Sequence, residues 1–403
     1  MSILVLNAGS STLKFALFDA AARAELASGL VDWRGTHDAA TLDLQTPGSP
    51  NLQSDKRISG YGEATDWILR SLAELRFEEP ITRVGHRVVH GGTEFRHSVL
   101  IDDRVCAALE RIAELAPLHN PPALSTIAAA RSALPSATHL AAFDTSFFAA
   151  MPARAFLYPL PYDWYRQYGI RRFGFHGISH EWCAMRTAEM LGRTGDPSLR
   201  IVSCHLGSGC SATAVRGSTP VATTMGFTPL EGLMMGTRSG SIDPGILCYL
   251  LEHHGFTAPE LEHCLNHDSG LLGVSGVSAD LRQIEQALAA GNERAQLALD
   301  MFCDRVRATI GALAVTLGGV DALVFTAGVG EHSATVRGQV CDGLQCLGLE
   351  LDLQANLGTA GDCTIARSGS PGQILVLRTR EEQMIARDAL HLAPSPASGS
   401  LPV

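Results

Sequence analysis

The sequence lacks the features of nucleic-acid-binding and membrane proteins. Its 31 Lys and Arg are outnumbered by 41 Asp and Glu, and the net charge of -10 argues against a nucleic-acid binder, which normally carries a basic face. No apolar stretch approaches the ~20 residues of a membrane span, and no charged segment precedes the first apolar run as in a signal peptide. We therefore predict a cytoplasmic protein with neither a nucleic-acid nor a membrane partner.

Cysteine and histidine are present, but without the spacings that bind metals. The 10 Cys include no Cys-x-x-Cys pair, and none of the 15 His belongs to the His-Glu-x-x-His pattern of metalloproteases. The cysteines are scattered through apolar segments, for example Cys204, Cys248 and Cys303. We predict reduced core thiols, and the spacing favours neither a catalytic thiol nor a structural zinc site.

The chain is long enough and apolar enough for two hydrophobic cores. It has 403 residues, of which 46% are hydrophobic and 18% charged, and it contains 40 Gly. This composition is typical of a compact protein with many tight turns. Because domains usually run ~100–200 residues, we expect two of them.

One arrangement of strand, small polar turn, strand, turn and strand occurs twice. The first copy covers residues 3–31 with its first turn at 7–12, and the second covers 200–224 with its first turn at 207–209. A repeat of this size predicts two related domains that face a shared cleft. Clefts between domains are preferred ligand sites.

A third glycine turn, at 326–333, follows the apolar run 321–325 and precedes a predicted helix at 334–347. Glycine lets the backbone close on a ligand, and the first N–H groups of a helix lack partners, so such a turn can bind an anion. A single turn of this kind would be an ordinary connection. Together with the turns at 7–12 and 207–209 it indicates a phosphate-handling cleft.

Four charged or titratable residues stand out, and the residues alone leave their roles open. Arg87 interrupts an apolar strand and is either an anion-facing side chain or a core-edge cation paired with a distant acid. Asp144 ends another apolar strand, as a helix cap or as a catalytic carboxylate. Arg238 lies on a glycine-flanked loop that favours ligand access. His176, taken alone, is more often structural than catalytic.

Some local expectations concern segments without clear periodicity. Residues 36–59 are polar and predict a loop or irregular hairpin, and residues 158–168 predict an interface or lid loop. Ser179 is expected to cap a helix that runs to 191, and residues 278–289 are expected to be helical. The Pro- and Ser-rich residues 393–403 predict disorder.

Taken in order, the segments resemble those of the acetokinase family, which belongs to the superfamily of acetate and sugar kinases, heat-shock chaperone ATPases and actin. The resemblance runs from residue 4 to about 390. The motifs that carry it lie at 7–11, Lys14, 86–92, 119–121, 143–145, 174–177, 205–207, 236–240 and 325–328.

The resemblance implies an α/β fold of two actin-like ATPase (ribonuclease H-like) domains with duplicated βββαβαβα cores. The first domain would comprise 1–149 and 382–403, and the second, carrying most of the nucleotide site, 150–381. The implied activity is the reversible transfer of the ATP γ-phosphoryl to acetate, which gives acetyl phosphate and ADP. The implied cofactor is Mg2+, with Mn2+ as an alternative, and the implied assembly is a homodimer.

The resemblance also implies roles for individual residues. The catalytic residues would be Asp144, Arg87, His176 and Arg238. The acyl substrate would contact Arg87, Val89, Leu118, His119 and Pro229, and the metal would be held by Asn7 and Glu381. The nucleotide would contact Lys14, His205, Leu206, Gly207, Ser208, Gly209, Asp280, Leu281, Arg282, Gly328, Val329, Gly330, Glu331 and His332.

Two other functions remain open at this point. An apolar pocket discriminates between acids that differ by one methylene by only ~1–3 kcal/mol. A slightly larger pocket would therefore suffice for a propionate or other short-chain acyl kinase. A non-catalytic actin-like or chaperone-like ATPase switch would share the fold but would have no use for Arg87, Asp144 and Arg238 together. The chain departs from the usual family residues at Ser208, Leu281, His332 and Arg380, all on the nucleotide or metal side, so these departures bear on the preferred phosphoryl donor.

Overall fold

The computed structural model describes residues 1–9, 11–33, 39–77, 79–116 and 119–392. Contacts divide the chain into two compact units: unit 1 comprises 1–146 and 380–403, and unit 2 comprises 147–379. Arg380 and Glu381 group with unit 1 because the helix that begins at Glu381 packs on strands of that unit. Whether each unit corresponds to one of the domains expected at 1–149 with 382–403 and at 150–381 stays a prediction.

The described residues form two separate β-sheets. The strands are β1 Ser2–Ala8, β2 Thr12–Phe18, β3 Glu25–Asp32, β4 Ala40–Gln45, β5 Leu52–Lys56, β6 Ile81–Val88, β7 Val99–Leu100, β8 Thr138–Phe143, β9 Arg200–Leu206, β10 Cys210–Arg216, β11 Thr219–Thr223, β12 Ala322–Thr326, β13 Cys363–Thr364 and β14 Gln373–Val376. The unit 1 sheet has the order β5-β4-β3-β2-β1-β6-β8-β7, and the unit 2 sheet has the order β11-β10-β9-β12-β14-β13.

Helices connect and cover these strands. They are α1 Tyr61–Glu74, α2 Asp103–Arg111, α3 Asn120–Ala133, α4 Ala153–Phe156, α5 Tyr162–Tyr168, α6 Gly177–Met190, α7 Gly245–His253, α8 Ala258–His267, α9 Gly270–Ser275, α10 Leu281–Ala289, α11 Glu293–Leu317, α12 Ala327–His332, α13 Ala334–Cys341, α14 Leu353–Leu357 and α15 Glu381–His391. Short 3-10 turns occupy Ala113–Leu115, Ser146–Ala150 and Leu344–Leu347.

The two sheets share one central topology. In unit 1 the first three strands pair antiparallel and β1, β6 and β8 run parallel. In unit 2 the strands β11, β10 and β9 pair antiparallel and β9, β12 and β14 run parallel. The order β3-β2-β1-β6-β8 thus recurs as β11-β10-β9-β12-β14. This duplication is the one that the sequence repeat predicts.

Alternation along the strands of unit 1 separates two faces of its sheet. Leu4, Leu6 and Val84 pack with Trp67 of α1 and Ala130 of α3 in one apolar core. The intervening residues point to the opposite face, because successive side chains on a strand alternate.

Helix α15 covers that opposite face of the unit 1 sheet. A Cβ placed on Gly85 of β6 would come within 2.5 Å of the Ile385 side chain on α15. The missing side chain of Gly85 is therefore what lets α15 lie close to the sheet. Arg87 lies two residues after Gly85 on β6, and Asn7 is paired with Arg87 on β1. Both side chains therefore share the face that α15 covers.

Several local expectations need correction. Within residues 36–59, β4 and β5 form a regular antiparallel hairpin that extends the sheet, while 34–38 lie outside the described residues. Within 158–168, a helix forms at Tyr162–Tyr168, since Pro161 precedes its first turn and Gly169 ends it in the left-handed conformation. Helix α10 starts at Leu281 rather than 278 because the Asp280 side chain caps it.

Two further corrections concern a cap and the cysteines. Ser179 lies inside α6 and does not cap it, because the helix begins at Gly177 after His176. All ten cysteines are free thiols, as expected, but Cys248 and Cys346 are exposed rather than in a core. The tail at 393–403 falls outside the described residues.

A search of the described residues for a helix both long and apolar enough to cross a membrane finds none.

We expect Gly85→Ala to destabilise the protein by about 2 kcal/mol and to lower its melting temperature by roughly 4–8 °C, because the new methyl group overlaps Ile385 of α15. Gly311→Ala is the matched control: it lies in α11 with an open site around its Cα, so alanine there should be neutral or slightly stabilising. Thermal unfolding followed by circular dichroism measures both. Equal melting temperatures for the two variants would contradict this account of α15 packing.

Candidate active site

The carboxyl ends of the parallel strands in unit 1 hold a buried ion pair. Arg87 lies one residue before the end of β6, and Asp144 follows directly after β8. The Arg87 Nε donates to Asp144 Oδ1 at 3.1 Å, and Nη2 donates to Oδ2, so the pair is bidentate. Asp144 is 1% exposed and Arg87 13%. Arg87 is thus paired with an acid 57 positions away in the sequence, as in one of the two alternatives, and that acid is itself a candidate site residue.

Asn7 of β1 joins this pair through its amide. Its Oδ1 accepts from Arg87 Nη1 at 3.1 Å, and its Nδ2 donates to Glu382 Oε1 at 3.0 Å. Lys14 of β2 and Arg87 of β6 are the direct register neighbours of Asn7. Cross-strand neighbours share a face, so the three side chains form one row, with Lys14 exposed to solvent.

The charge on Arg87 is stabilised by several acids. Burial by itself lowers the pKa of Arg87, but the negative charges of Asp144, Glu381 and Glu382 outweigh this effect, and the pKa of Arg87 lies above its ordinary value. Arg87 therefore remains a cation at any physiological pH. Glu381 acts on it through space, whereas Glu382 also reaches it through Asn7.

The expected acyl-contacting residues are spread over both units. In unit 1, buried Val89 follows β6, and His119 precedes α3. Asn120 ties these two segments together, because its side chain accepts from the His90 amide at 3.2 Å and donates to the His90 carbonyl at 3.1 Å. Leu118 lies outside the described residues.

In unit 2, two candidate residues meet at Gly209. A Cβ on Gly209 would lie 3.4 Å from His176 Nε2 and 3.4 Å from an Arg238 guanidinium nitrogen. The glycine thus leaves space between an imidazole and a cation. The same Arg238 nitrogen donates to the Pro229 carbonyl at 3.3 Å, which links the expected acyl-pocket residue Pro229 to this cluster.

No carboxylate of the described residues forms an ion pair with Arg238. The contacts of Arg238 among these residues are the Pro229 carbonyl and the Met235 sulfur. Burial lowers the pKa of Arg238, because the charged form has lost water that no anion replaces. A bound anion at this position would be strongly favoured.

A cavity of about 700 Å³ opens in unit 2. Its volume lies in the range of sites that hold a nucleotide-sized ligand. Eight of its lining residues belong to the nucleotide set that the resemblance implies, and they are Gly207, Ser208, Asp280, Leu281, Arg282, Gly328, Val329 and His332. Of the three further lining residues, Ser333 ends the glycine turn predicted at 326–333, whereas Ala279 and Glu285 were not expected.

Other members of the expected nucleotide set do not line this cavity. Lys14 belongs to unit 1, and His205 stacks on His176 with ring centroids 4.1 Å apart. Leu206 is buried at the end of β9 and Gly209 faces His176 and Arg238. The cavity therefore gathers Gly207 with Ser208 from one turn, Gly328 with Val329 from another, and the start of α10.

Glu331 turns inward, away from the cavity lining. Its Oε1 accepts from the Ala327 and Thr379 amides, each at 3.0 Å. Ala327 has a left-handed backbone with φ 64°, a strained conformation for a residue with a Cβ. Glu331 thus braces the turn, and its contact with the nucleotide stays a prediction. The predicted glycine turn itself forms the short helix α12.

A second brace is the buried Arg337 of α13. Its five N–H donors go to the carbonyls of Gly330 and Glu331 and to oxygens of Asn356 and Thr359, at 2.8–3.4 Å. Arg337 is 1% exposed and has no carboxylate partner among the described residues. It holds the carboxyl end of α12 in place.

Sequence reasoning missed three contributors to the site. Glu382 had a signal, since it is the second acid of a first helical turn, and Asn120 had one in the motif at 119–121. Glu285, which accepts a hydrogen bond at 2.9 Å from Ser333 of the predicted turn inside the cavity, had none. Their pairing depends on how α10 packs near α13.

A buried guanidinium and carboxylate at the strand ends of one unit, with a nucleotide-sized cavity in the other, are features of an α/β phosphoryl-transfer enzyme. A family model described as the acetokinase family matches residues 2–387. The chain belongs to the acetokinase family, and the predicted resemblance is confirmed. Membership also confirms the predicted class of enzyme, a phosphotransferase with a carboxyl group as acceptor.

Individual relatives support the same family. An acetate kinase from Cyanothece sp. is 48% identical over 403 residues, covering 97% of this chain and 98% of the relative. The crystal structure of Porphyromonas gingivalis acetate kinase has a TM-score of 0.89 at 41% identity and covers 96% of this chain and 98% of that chain. A propionate kinase from Francisella tularensis has a TM-score of 0.89 at 36% identity, with coverages of 97% and 100%. These structures confirm the predicted fold class.

We expect Glu331→Ala to destabilise the protein by about 1–3 kcal/mol, because the amides of Ala327 and Thr379 both lose their acceptor. Glu331→Gln keeps a side-chain oxygen at the same place and should cost less than about 1 kcal/mol. Urea unfolding of the two variants measures the difference. If glutamine destabilises as much as alanine, the charge of Glu331 matters rather than its hydrogen bonds.

Proposed function

We propose that the protein is an acetate kinase, which reversibly transfers the γ-phosphoryl of ATP to acetate by direct in-line displacement. An acetate oxygen attacks the γ-phosphorus, the bond from that phosphorus to the bridging oxygen breaks, and ADP leaves with the electron pair. The observation that carries this proposal is the buried Arg87–Asp144 pair at the strand ends, in a chain of the acetokinase family.

Acetate, as the nucleophile, needs no general base. A carboxylic acid has a pKa of ~4–5 and is ionised at neutral pH. Asp144 therefore acts in a different way, since its bidentate bond fixes the plane of the Arg87 guanidinium. The cation can then bind the acetate carboxylate or the phosphoryl oxygens, two anions that would otherwise repel each other.

Arg238 and His176 are proposed to stabilise the charge that spreads over the phosphoryl oxygens in the transition state. Arg238 suits this role because no carboxylate of the described residues neutralises it. His176 presents Nε2 on the same side of Gly209 as the Arg238 guanidinium. Donors that are fixed before the reaction need no reorganisation as the charge develops.

The residues of unit 1 fit a magnesium ion. Mg2+ prefers oxygen ligands and usually takes one or two carboxylates together with substrate phosphates. Asn7 and Glu381, with the adjacent Glu382, supply an amide oxygen and carboxylates near Arg87. The described residues contain no cluster of three or more His, Cys, Asp or Glu that could hold the ion without the substrate. When bound, Mg2+ would neutralise charge on the nucleotide phosphates.

The nucleotide is proposed to occupy the cavity of unit 2. Ser208, His332 and Leu281, where the chain departs from the usual family residues, all line it. Base and donor preference are therefore properties in which this protein can differ from its relatives. The proposal also includes a homodimer, on the basis of the family resemblance, and the cytoplasmic location predicted from the sequence.

We expect the purified protein with Mg-ATP and acetate to form acetyl hydroxamate when trapped with hydroxylamine. Arg238→Ala should lower kcat by about 10²–10³-fold and raise the acetate KM by less, because a transition-state charge loses its partner. Arg305→Ala, which removes an exposed cation of α11, is the control and should leave both constants unchanged. ATP hydrolysis without any hydroxamate would identify an ATPase switch and refute the proposal.

Acetate should be the preferred acid, with propionate slower by about 10–200-fold in kcat/KM and butyrate slower still, because the pocket is proposed to fit a methyl group. Val89→Ala should narrow the acetate-to-propionate ratio, whereas Val315→Ala, at an exposed position, should not change it. Steady-state kinetics with the three acids measure this. A wild-type preference for propionate would assign the protein to the alternative acyl kinase.

A further inference from the structure

A buried histidine one helical turn beyond His176 has no role in the mechanism above. His180 is fully buried in α6, and burial together with nearby His205 places its pKa well below the ordinary value. It is therefore neutral, with one nitrogen that donates and one that accepts. A neutral, buried imidazole beside a candidate catalytic imidazole needs polar partners on both nitrogens.

Both partners are serine hydroxyls on the neighbouring strands. His180 Nδ1 lies 3.0 Å from Ser203 Oγ of β9, and His180 Nε2 lies 2.7 Å from Ser211 Oγ of β10. The same Ser211 Oγ lies 2.9 Å from His176 Nδ1. A continuous chain of hydrogen bonds thus runs from His176 through Ser211 and His180 to Ser203.

This chain determines which position on the ring edge that faces Gly209 holds the nitrogen Nε2 of His176. The last side-chain torsion of a histidine is broad and roughly two-fold. A ring flip would therefore exchange Nδ1 with Cδ2 and Nε2 with Cε1. The hydrogen bond to the Ser211 hydroxyl forms only in the orientation that points Nδ1 of His176 at Ser211. In that orientation a Cβ on Gly209 would lie 3.3 Å from Cε1 and 3.4 Å from Nε2 of His176 and 3.4 Å from an Arg238 guanidinium nitrogen, and a flip would exchange the positions of Cε1 and Nε2.

The backbone conformation of His176 and its stacking on His205 do not by themselves fix the orientation of the ring. His176 precedes α6 with φ 56° and ψ 28°, in the left-handed region that residues with a Cβ rarely adopt. On one side its ring stacks on His205. The stack fixes the plane of the ring but does not select between its two flipped orientations. The reason is that the flipped ring has nearly the same shape and can stack equally well.

We propose that Ser211 and His180 are positioning residues that hold His176 with Nε2 toward the transferring phosphoryl group. The inference rests on the proposed function only for the identity of that group. The chain of bonds also accommodates a charged His176. In that state Nδ1 donates to Ser211, Ser211 donates to His180 Nε2, and His180 Nδ1 donates to Ser203, so every member stays paired.

Two variants separate positioning from mere packing. Ser211→Ala and Ser203→Ala each remove one buried hydroxyl and each leave one His180 nitrogen without its partner. Only Ser211→Ala also removes the bond to His176. We expect Ser211→Ala to lower kcat by about 10–100-fold with ATP and acetate KM changed by less than about threefold, and Ser203→Ala to change kcat by less than about threefold. Equal loss of kcat in both variants would overturn the proposal.

A second measurement does not depend on activity. The 15N spectrum of protein labelled at histidine reports the hydrogen bond of each ring nitrogen, and His176→Gln identifies the His176 signals. Ser211→Ala should shift the Nδ1 resonance of His176, while Ser203→Ala should leave it in place. A shift in neither variant, or the same shift in both, would refute the positioning role. If wild-type protein forms no acyl hydroxamate, the proposed reaction fails, and these spectra still decide the inference.

Discussion

The positive charge of Arg87, held in a nearly dry place at the end of β6, requires compensation that no single segment provides. Asp144 supplies a bidentate carboxylate from the end of β8, and Asn7 supplies an amide oxygen from β1. Glu381 and Glu382 add negative charge from the start of α15. Breaking any one of these contacts would leave a buried cation with too little compensation, which is strongly unfavourable. The parallel strands and α15 must therefore be in register for the site to exist.

Unit 2 repeats the topology with different chemistry at the same positions. The register row Lys14, Asn7 and Arg87 of unit 1 corresponds to Ser211, His205 and Thr326 in unit 2. Two cations and an amide are replaced by two hydroxyls and an imidazole. The unit 1 row suits charge neutralisation, whereas the unit 2 row suits a network of short neutral hydrogen bonds. A duplicated scaffold has thus provided two kinds of site at equivalent strand ends.

Some of the most conspicuous charged side chains serve the scaffold. Glu331 directs its carboxylate to two backbone amides, and Arg337 gives its donors to carbonyl, amide and hydroxyl oxygens around α12. Both stabilise a helix of six residues that begins with the left-handed Ala327. Such a short helix would not persist alone, because helix nucleation is unfavourable. These braces keep Gly328 and Val329 of the cavity wall in position.

The sequence by itself determined the family, the two-sheet α/β class and most of the strands, because these depend on apolar periodicity, on glycine turns and on motifs that are local in the chain. It also identified Arg87, Asp144, Asn7, His176 and Arg238 as candidates. Tertiary structure decided what their side chains do. Arg87 and Asp144 are 57 positions apart and Asn7 and Glu382 are 375 apart, so neither contact has a signature in local spacing. The same reason explains why the inward contacts of Glu331 had no signal and why Ser211 and His180 were overlooked, since strand register and helix packing alone bring their partners within hydrogen-bond distance.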